Sequence, residues 1–95
     1  MAFRTNGSER MRLDASGNLL VGTTTAQNSA AGRGNITIGG TTSSILNFGY
    51  NGGDNGYIFH NATDIFLVNR IVSGALIFST NSSERARLDA SGTLS

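Results

Sequence analysis

The chain has 95 residues, no cysteine and no lysine, and its seven arginines nearly balance six carboxylates, giving a formal net charge of +1. This length allows one small domain at most, and without disulfides the expected source of extra stability is association with other chains. The balanced charge offers no basic field for a nucleic acid backbone, and no apolar run is long enough to cross a bilayer or to act as a signal peptide.

The composition predicts an all-β fold. Glycine, asparagine, serine and threonine interrupt every window long enough for a helix, whereas 38% of the residues are hydrophobic and rich in Ile, Leu, Val and Phe. Short apolar or alternating runs separated by Asn-Gly, Ser-Gly or Gly-Gly are typical of strands joined by tight turns. We therefore expect an antiparallel meander of short strands.

The N-terminal segment 1–23 is predicted to form a hairpin and a third strand. The strands are expected over residues 2–5, 8–14 and 18–23. Asn6-Gly7 joins the first two, because both residue types tolerate the positive φ angles of a type I′ turn. A second turn is predicted at residues 15–17. Residues 24–34 are small, polar and weakly patterned, which indicates a loop.

The middle section, residues 35–77, is predicted to be a β-meander. Its strands are expected over residues 36–38, 45–50, 57–60, 65–69 and 75–80. Residues 51–56, with the sequence NGGDNG, are rich in turn-forming residues and predict a hairpin tip. With the terminal hairpins this gives about nine short strands.

The first hairpin recurs near the other end of the chain. Residues 3–19 return 75 positions later as residues 78–94, with 13 of 17 positions identical. Such a match at a fixed offset indicates a duplicated structural unit. We interpret segment 78–95 as a second, truncated copy, in which Ala86 replaces Met11 and predicts a tighter or less complete core.

Strand alternation predicts one apolar and one charged face for each copy. The expected apolar face of the first copy carries Glu9, Met11 and Leu13, and the opposite face Arg10, Arg12 and Asp14. The second copy repeats this arrangement with Glu84, Ala86 and Leu88 opposite Arg85, Arg87 and Asp89. The side chains expected to pack inward are Met11, Leu13, Leu19, Val21, Ile58, Phe66, Leu76, Phe78 and Leu88.

Residues 8–23, SERMRLDASGNLLVGT, resemble a motif of tailed-phage fibre and appendage proteins, which carry stretches such as TNGSERMRIDSSGNVGIGT. Residues 55–60, NGYIFH, are similar to the section that precedes that motif. The resemblance implies an elongated homotrimeric β-rod, either a β-prism or an intertwined triple β structure. Three chains around one axis would supply the apolar burial that one short chain lacks.

The resemblance implies a structural module of a virion appendage that takes part in host attachment. Its expected partners are further copies of itself, other virion proteins and a host surface glycan, and its expected location is the virion, after assembly in the host cytoplasm. Two alternatives stay open: a carbohydrate-binding tip that recognises the receptor, and a capsid decoration or cement protein.

Few residues suggest a chemical site. Glycan contact is assigned to exposed turn and aromatic residues, namely Tyr50, Asp54, Asn55 and Tyr57. Asp54 and Asp64 are the only carboxylates outside the repeats, and we expect neither to act in catalysis. His60 is the single histidine, interpreted as a strand residue beside a turn rather than a metal ligand on a trimer axis. No cofactor and no enzymatic activity are expected.

Overall fold

The computed structural model describes residues 1–95 and is all-β, with no helix. The expectation of short strands in antiparallel meander sheets is confirmed. The nine strands are β1 (Ala2–Thr5), β2 (Ser8–Leu13), β3 (Leu19–Val21), β4 (Ile36–Ile38), β5 (Ser44–Tyr50), β6 (Gly53–His60), β7 (Ile65–Asn69), β8 (Leu76–Thr80) and β9 (Ser83–Leu88).

The chain forms two compact units, Met1–Ser44 and Ile45–Ser95. The first contains a four-stranded sheet in the order β1-β2-β3-β4. The second contains a three-stranded sheet, β5-β6-β7, and a two-stranded sheet, β8-β9. This division differs from the predicted segments 1–23, 24–34, 35–77 and 78–95, because β4 pairs with β3 and so belongs to the first sheet.

The first sheet departs from a pure meander at one strand. β1, β2 and β3 pair antiparallel in succession, but β4 runs parallel to β3, with Leu20 opposite Thr37. A parallel neighbour needs a long crossover connection, since a tight turn can only reverse the chain. The strandless segment between Val21 and Ile36, which includes the predicted loop, supplies that crossover.

Leu20 is the only fully buried hydrophobic side chain, at 0% exposure, and the only buried polar residues are Asn18 and Thr37. Leu20 pairs with Arg12 on β2 and with Thr37 on β4, so these side chains share one face of the sheet. The backbone N–H of Gln27 donates to Thr37 Oγ1 at 3.2 Å, which places the crossover over this face. The core of the first unit therefore lies between the sheet and its own crossover.

None of the nine side chains predicted to pack inward is buried within the single chain, and their burial between chains stays a prediction. Leu19 and Val21 lie on the sheet face opposite Leu20, and five of the nine side chains expected inside are exposed: Leu13, Ile58, Phe66, Phe78 and Leu88. Alternation identifies residues that share a face, but it does not say which face a crossover will cover.

Asn-Gly pairs form two of the hairpin turns. Asn6 and Gly7 have φ angles of 50° and 78°, and Asn51 and Gly52 have 54° and 77°, the left-handed pair that a type I′ turn requires. The predicted hairpin tip over residues 51–56 is too long, because β6 already begins at Gly53.

The second repeat makes the same turn with a less suitable residue. Asn81 and Ser82 have φ angles of 52° and 63°, so a serine occupies the left-handed position that Gly7 fills in the first copy. A side chain at positive φ crowds the following carbonyl oxygen, whereas glycine has no Cβ to do so. The second hairpin therefore carries local backbone strain.

We predict opposite effects from exchanging these two residues. Ser82→Gly should raise the free energy of unfolding by about 0.5–1 kcal/mol, because relief of strain outweighs the added freedom of the unfolded chain. Gly7→Ser should lower it by a similar amount, and no atom within 4 Å would clash with the new Cβ. Urea unfolding followed by circular dichroism measures both, and two changes of the same sign would contradict the strain argument.

Candidate interaction surface

One face of the first sheet is a continuous apolar surface, which we call the first apolar face. It comprises Phe3, Met11, Leu13, Leu19, Val21, Ile36 and Ile38, which the strand register places side by side. Phe3 is 45% exposed, and Leu13 and Ile36 are also exposed. Exposed apolar patches of this kind mark interaction sites more often than single surface hydrophobic residues do.

A β-bulge in β2 brings Phe3 onto this face, beside Met11. Arg4 pairs with Glu9 and Phe3 pairs with Met11, so Arg10 is an extra residue with no partner on β1. Without it Phe3 would lie opposite Arg10, and Met11 would share its face with Glu9. The Arg10 guanidinium donates to Thr5 Oγ1 at 2.7 Å beside the bulge.

Because of the bulge, the charged face differs from the predicted one. Glu9 lies on the same face as Arg12, not opposite it, and its Oε1 accepts a hydrogen bond of 2.6 Å from Arg12 Nη2. Arg4 Nη2 is 3.9 Å from the same oxygen, while Glu9 Oε2 is buried without a hydrogen-bond partner. The Arg12 hydrogen bond lowers the pKa of Glu9, and Glu9 in turn raises the pKa of Arg12.

The second copy builds a similar surface, the second apolar face, from Leu76, Phe78, Ala86, Leu88 and Leu94. Its bulge falls at the equivalent position, with Arg85 as the extra residue. Phe78 is 52% exposed. Strand alternation placed Met11, Leu13, Ala86 and Leu88 on apolar faces correctly, but it did not place Phe3 there, because only the bulge moves Phe3 beside Met11.

The opposite face of the second copy holds a two-point ion pair. Arg87 donates from Nε to Glu84 Oε2 at 3.0 Å and from Nη2 to Oε1 at 2.8 Å. This pairing lowers the pKa of Glu84 and raises the pKa of Arg87. Both copies therefore have one apolar face and an arginine–glutamate pair on the opposite face.

The turn after each repeat is organised by its aspartate. Asp14 Oδ1 accepts hydrogen bonds from the backbone N–H groups of Ser16 and Asn18, both at 2.9 Å, and Oδ2 accepts one from Asn18 Nδ2. These bonds, that of the Asn18 side chain foremost, lower the pKa of Asp14. Asp89 accepts the corresponding backbone bonds from Ser91 and Thr93.

The three-stranded sheet of the second unit is apolar on both faces. β6 and β7 pair antiparallel. One face carries Tyr57, Phe59, Phe66 and Val68, and the other Ile58, Ile65 and Leu67, with His60 at the strand end. The aromatic rings contact one another, with centroid distances of 6.2 Å for Tyr57–Phe59 and 5.7 Å for Phe59–Phe66. No residue of this unit is buried.

The structure brings only part of the predicted glycan site together. Tyr50 is 80% exposed at the end of β5, and its backbone N–H donates to Asn55 Oδ1 at 2.6 Å. Asp54 and Asn55 are neighbours on β6 and so point to opposite faces. Asp54 instead forms an ion pair of 2.5 Å with Arg70, and Tyr57 is half-buried. Glycan contact stays a prediction.

The other candidate residues stand apart from any chemical cluster. Asp64 Oδ2 accepts a hydrogen bond from the Thr63 hydroxyl within a surface turn, and His60 is exposed at the end of β6. No group of three His, Cys, Asp or Glu side chains could hold a metal ion. No helix is long and apolar enough to span a membrane.

A cavity of about 840 Å³ lies between the Asp14 turn and the crossover of the first unit. It is a wide polar depression bordered by Asn18, Thr24 and Arg33 and by small residues. The three hydrogen bonds from Ser16 and Asn18 already engage both oxygens of Asp14, so its carboxylate is committed to the turn. The apolar faces are therefore the stronger candidate for function.

Comparison with known proteins adds no relative: the chain matches no protein-family model, no curated protein and no solved structure.

We predict that the chain loses stability in acid. The pKa values of Glu9, Asp14 and Glu84 are lowered in the folded chain, so the unfolded chain takes up protons first as the pH falls. The contribution of these three carboxylates to the free energy of unfolding is complete above the ordinary carboxyl pKa of about 4. It is lost as the pH falls through their lowered pKa values. Urea unfolding midpoints measured from about pH 6 to about pH 2 should decrease accordingly.

The double variant Glu9→Gln/Asp14→Asn should show a flatter pH dependence, because two of the titrating groups are gone. Ser16→Ala is the matched control, since Ser16 donates to Asp14 only through its backbone N–H. A double variant with the same slope as the unsubstituted chain would contradict the assignment.

Proposed function

We propose that the chain is a structural module of a phage virion appendage, such as a tail fibre, and that it works as a homotrimeric β-rod in host attachment. The observation that carries the proposal is the two-sided apolar sheet of the second unit. An antiparallel sheet usually packs one face on a core and exposes the other to water. A sheet that is apolar on both faces needs cover from two directions.

Identical chains can provide this cover. In a cyclic trimer every chain contacts two neighbours through two different surfaces, so two apolar faces can both be buried. Obligate interfaces of this kind resemble a domain core divided between chains. The scarcity of internal burial, with Leu20 alone in the core, favours the same arrangement.

The phage assignment is supported by the resemblance of residues 8–23 to the appendage motif. In the second copy the Arg87–Glu84 pair opposite the apolar face is partly exposed, as a rod in contact with water requires. A capsid decoration or cement protein would use the same trimeric module at another place in the virion.

A carbohydrate-binding tip is the second candidate, and one observation favours it. Tyr50 is among the most exposed aromatic residues and adjoins the Asn51-Gly52 turn, so its ring is free to stack on a sugar. Asp54 is held by Arg70, which removes one of the polar groups that would orient such a ligand.

Sedimentation equilibrium tests the trimer. The purified chain should sediment at three times its mass of 9.9 kDa. Leu67→Asp and Phe66→Asp place a charge on opposite faces of the three-stranded sheet, and each should shift the chain to monomer. Ser73→Asp, in an exposed turn, is the matched control and should leave the trimer intact.

A stable monomer or dimer of the unsubstituted chain would contradict the trimer. If only one of the two Asp variants dissociates, the other face is not covered in the assembly. Circular dichroism of each dissociated variant shows whether its strands persist.

A further inference from the structure

We infer that the first apolar face of one chain packs against the second apolar face of another, with Met11 opposite Ala86. The inference rests on the proposed function in one respect, the self-association of the chain. Each of the two apolar faces is covered by the other kind of face, which a second copy of this chain provides.

The two faces have matching backbones. Phe3 pairs with Met11 as Phe78 pairs with Ala86, and each pair is followed by the same register shift. The arginine at each bulge donates to a threonine on the neighbouring strand, at 2.7 Å in the first copy and 2.8 Å in the second. Two hairpins with the same bulge have the same local twist, so their apolar faces can pack in an aligned, face-to-face manner.

The side chains at the centres of the two faces differ in volume. On the first face Met11 lies between Phe3 of β1 and Val21 of β3, and Ala86 occupies the equivalent position beside Phe78 on the second. Two first faces would bring two methionines together, and two second faces would leave a void between two alanines. A first face against a second one places a large flexible side chain over a small one, which is how well-packed layers interdigitate.

Charge favours the same pairing. The first unit has four arginines and two carboxylates, a net charge of +2, and the second has three arginines and four carboxylates, a net charge of −1. Contact between unlike units is therefore attractive, whereas contact between two first units brings like charges together. A contact between two different surfaces is heterologous, and it closes into a ring when the rotation allows, as in a cyclic trimer.

Disulfide crosslinking tests the pairing directly, since the chain has no cysteine of its own. Met11→Cys and Ala86→Cys are prepared as separate chains, mixed, allowed to exchange subunits and oxidised. The expected product is a crosslinked dimer that forms in the mixture and contains one chain of each kind. Each variant oxidised alone should stay largely uncrosslinked.

Crosslinks within Met11→Cys alone or Ala86→Cys alone would overturn the inference, because they indicate contact between like faces. An absence of crosslinks in a chain that still sediments as an oligomer would overturn it while leaving the proposed function intact. A chain that sediments as a monomer would contradict both.

A size exchange provides a second test that does not depend on disulfide geometry. Met11→Ala and Ala86→Met should each weaken association by about tenfold or more, by leaving a void or by overfilling the contact. The double variant restores one large and one small residue across the contact, so its affinity should recover to within about threefold of the original. Ala15→Met, in an exposed turn, is the control and should have no effect.

If the two single effects simply add in the double variant, Met11 and Ala86 do not face each other and the inference is wrong. Recovery in the double variant would also exclude packing of two first faces, because that contact would then contain only alanines.

Discussion

The extra residue at each bulge separates apolar from charged side chains in the repeated hairpin. With a two-residue turn and no bulge, Met11 would share a face with Glu9, and Phe3 would lie opposite Arg10. The bulge shifts the register so that Phe3 pairs with Met11 while Glu9 reaches Arg12. One inserted arginine thus places Phe3 and Met11 on one face and the Glu9–Arg12 pair on the other, and Arg85 does the same for Phe78 and Ala86 and for the Glu84–Arg87 pair.

Stability then depends on what covers the apolar surfaces. Ordering each residue costs about 1–2 kcal/mol of backbone entropy, which burial must offset. Leu20 is the only side chain fully removed from water within the chain, and the second unit buries no residue. The hydrogen-bonded ladders and Asn-Gly turns specify the strands, and in the proposed trimer the remaining apolar burial would come from further chains. Folding and assembly are therefore expected to be coupled.

The local part of the fold could be predicted from the sequence, and the non-local part could not. Asn6-Gly7 and Asn51-Gly52 impose their turns through their own conformational preferences. The turns at these two sites and most strand positions could therefore be predicted. The bulge at Arg10 is invisible to strict alternation, as is the parallel pairing of β4. Phe3 was therefore missed on the first apolar face, and Leu20, which the crossover buries, was not among the side chains predicted to pack inward.

The two copies share one hairpin backbone but differ in the side chains on its two faces. In the first copy two arginines approach Glu9, and only one carboxylate oxygen is paired. In the second, Ser79 stands where the first copy has Arg4, and Arg87 engages both oxygens of Glu84. The register and bulge are the same in both, so the charged face can change without disturbing the backbone. The exchange of Met11 for Ala86 is the corresponding change on the apolar side, where it alters the shape that a neighbouring chain would contact.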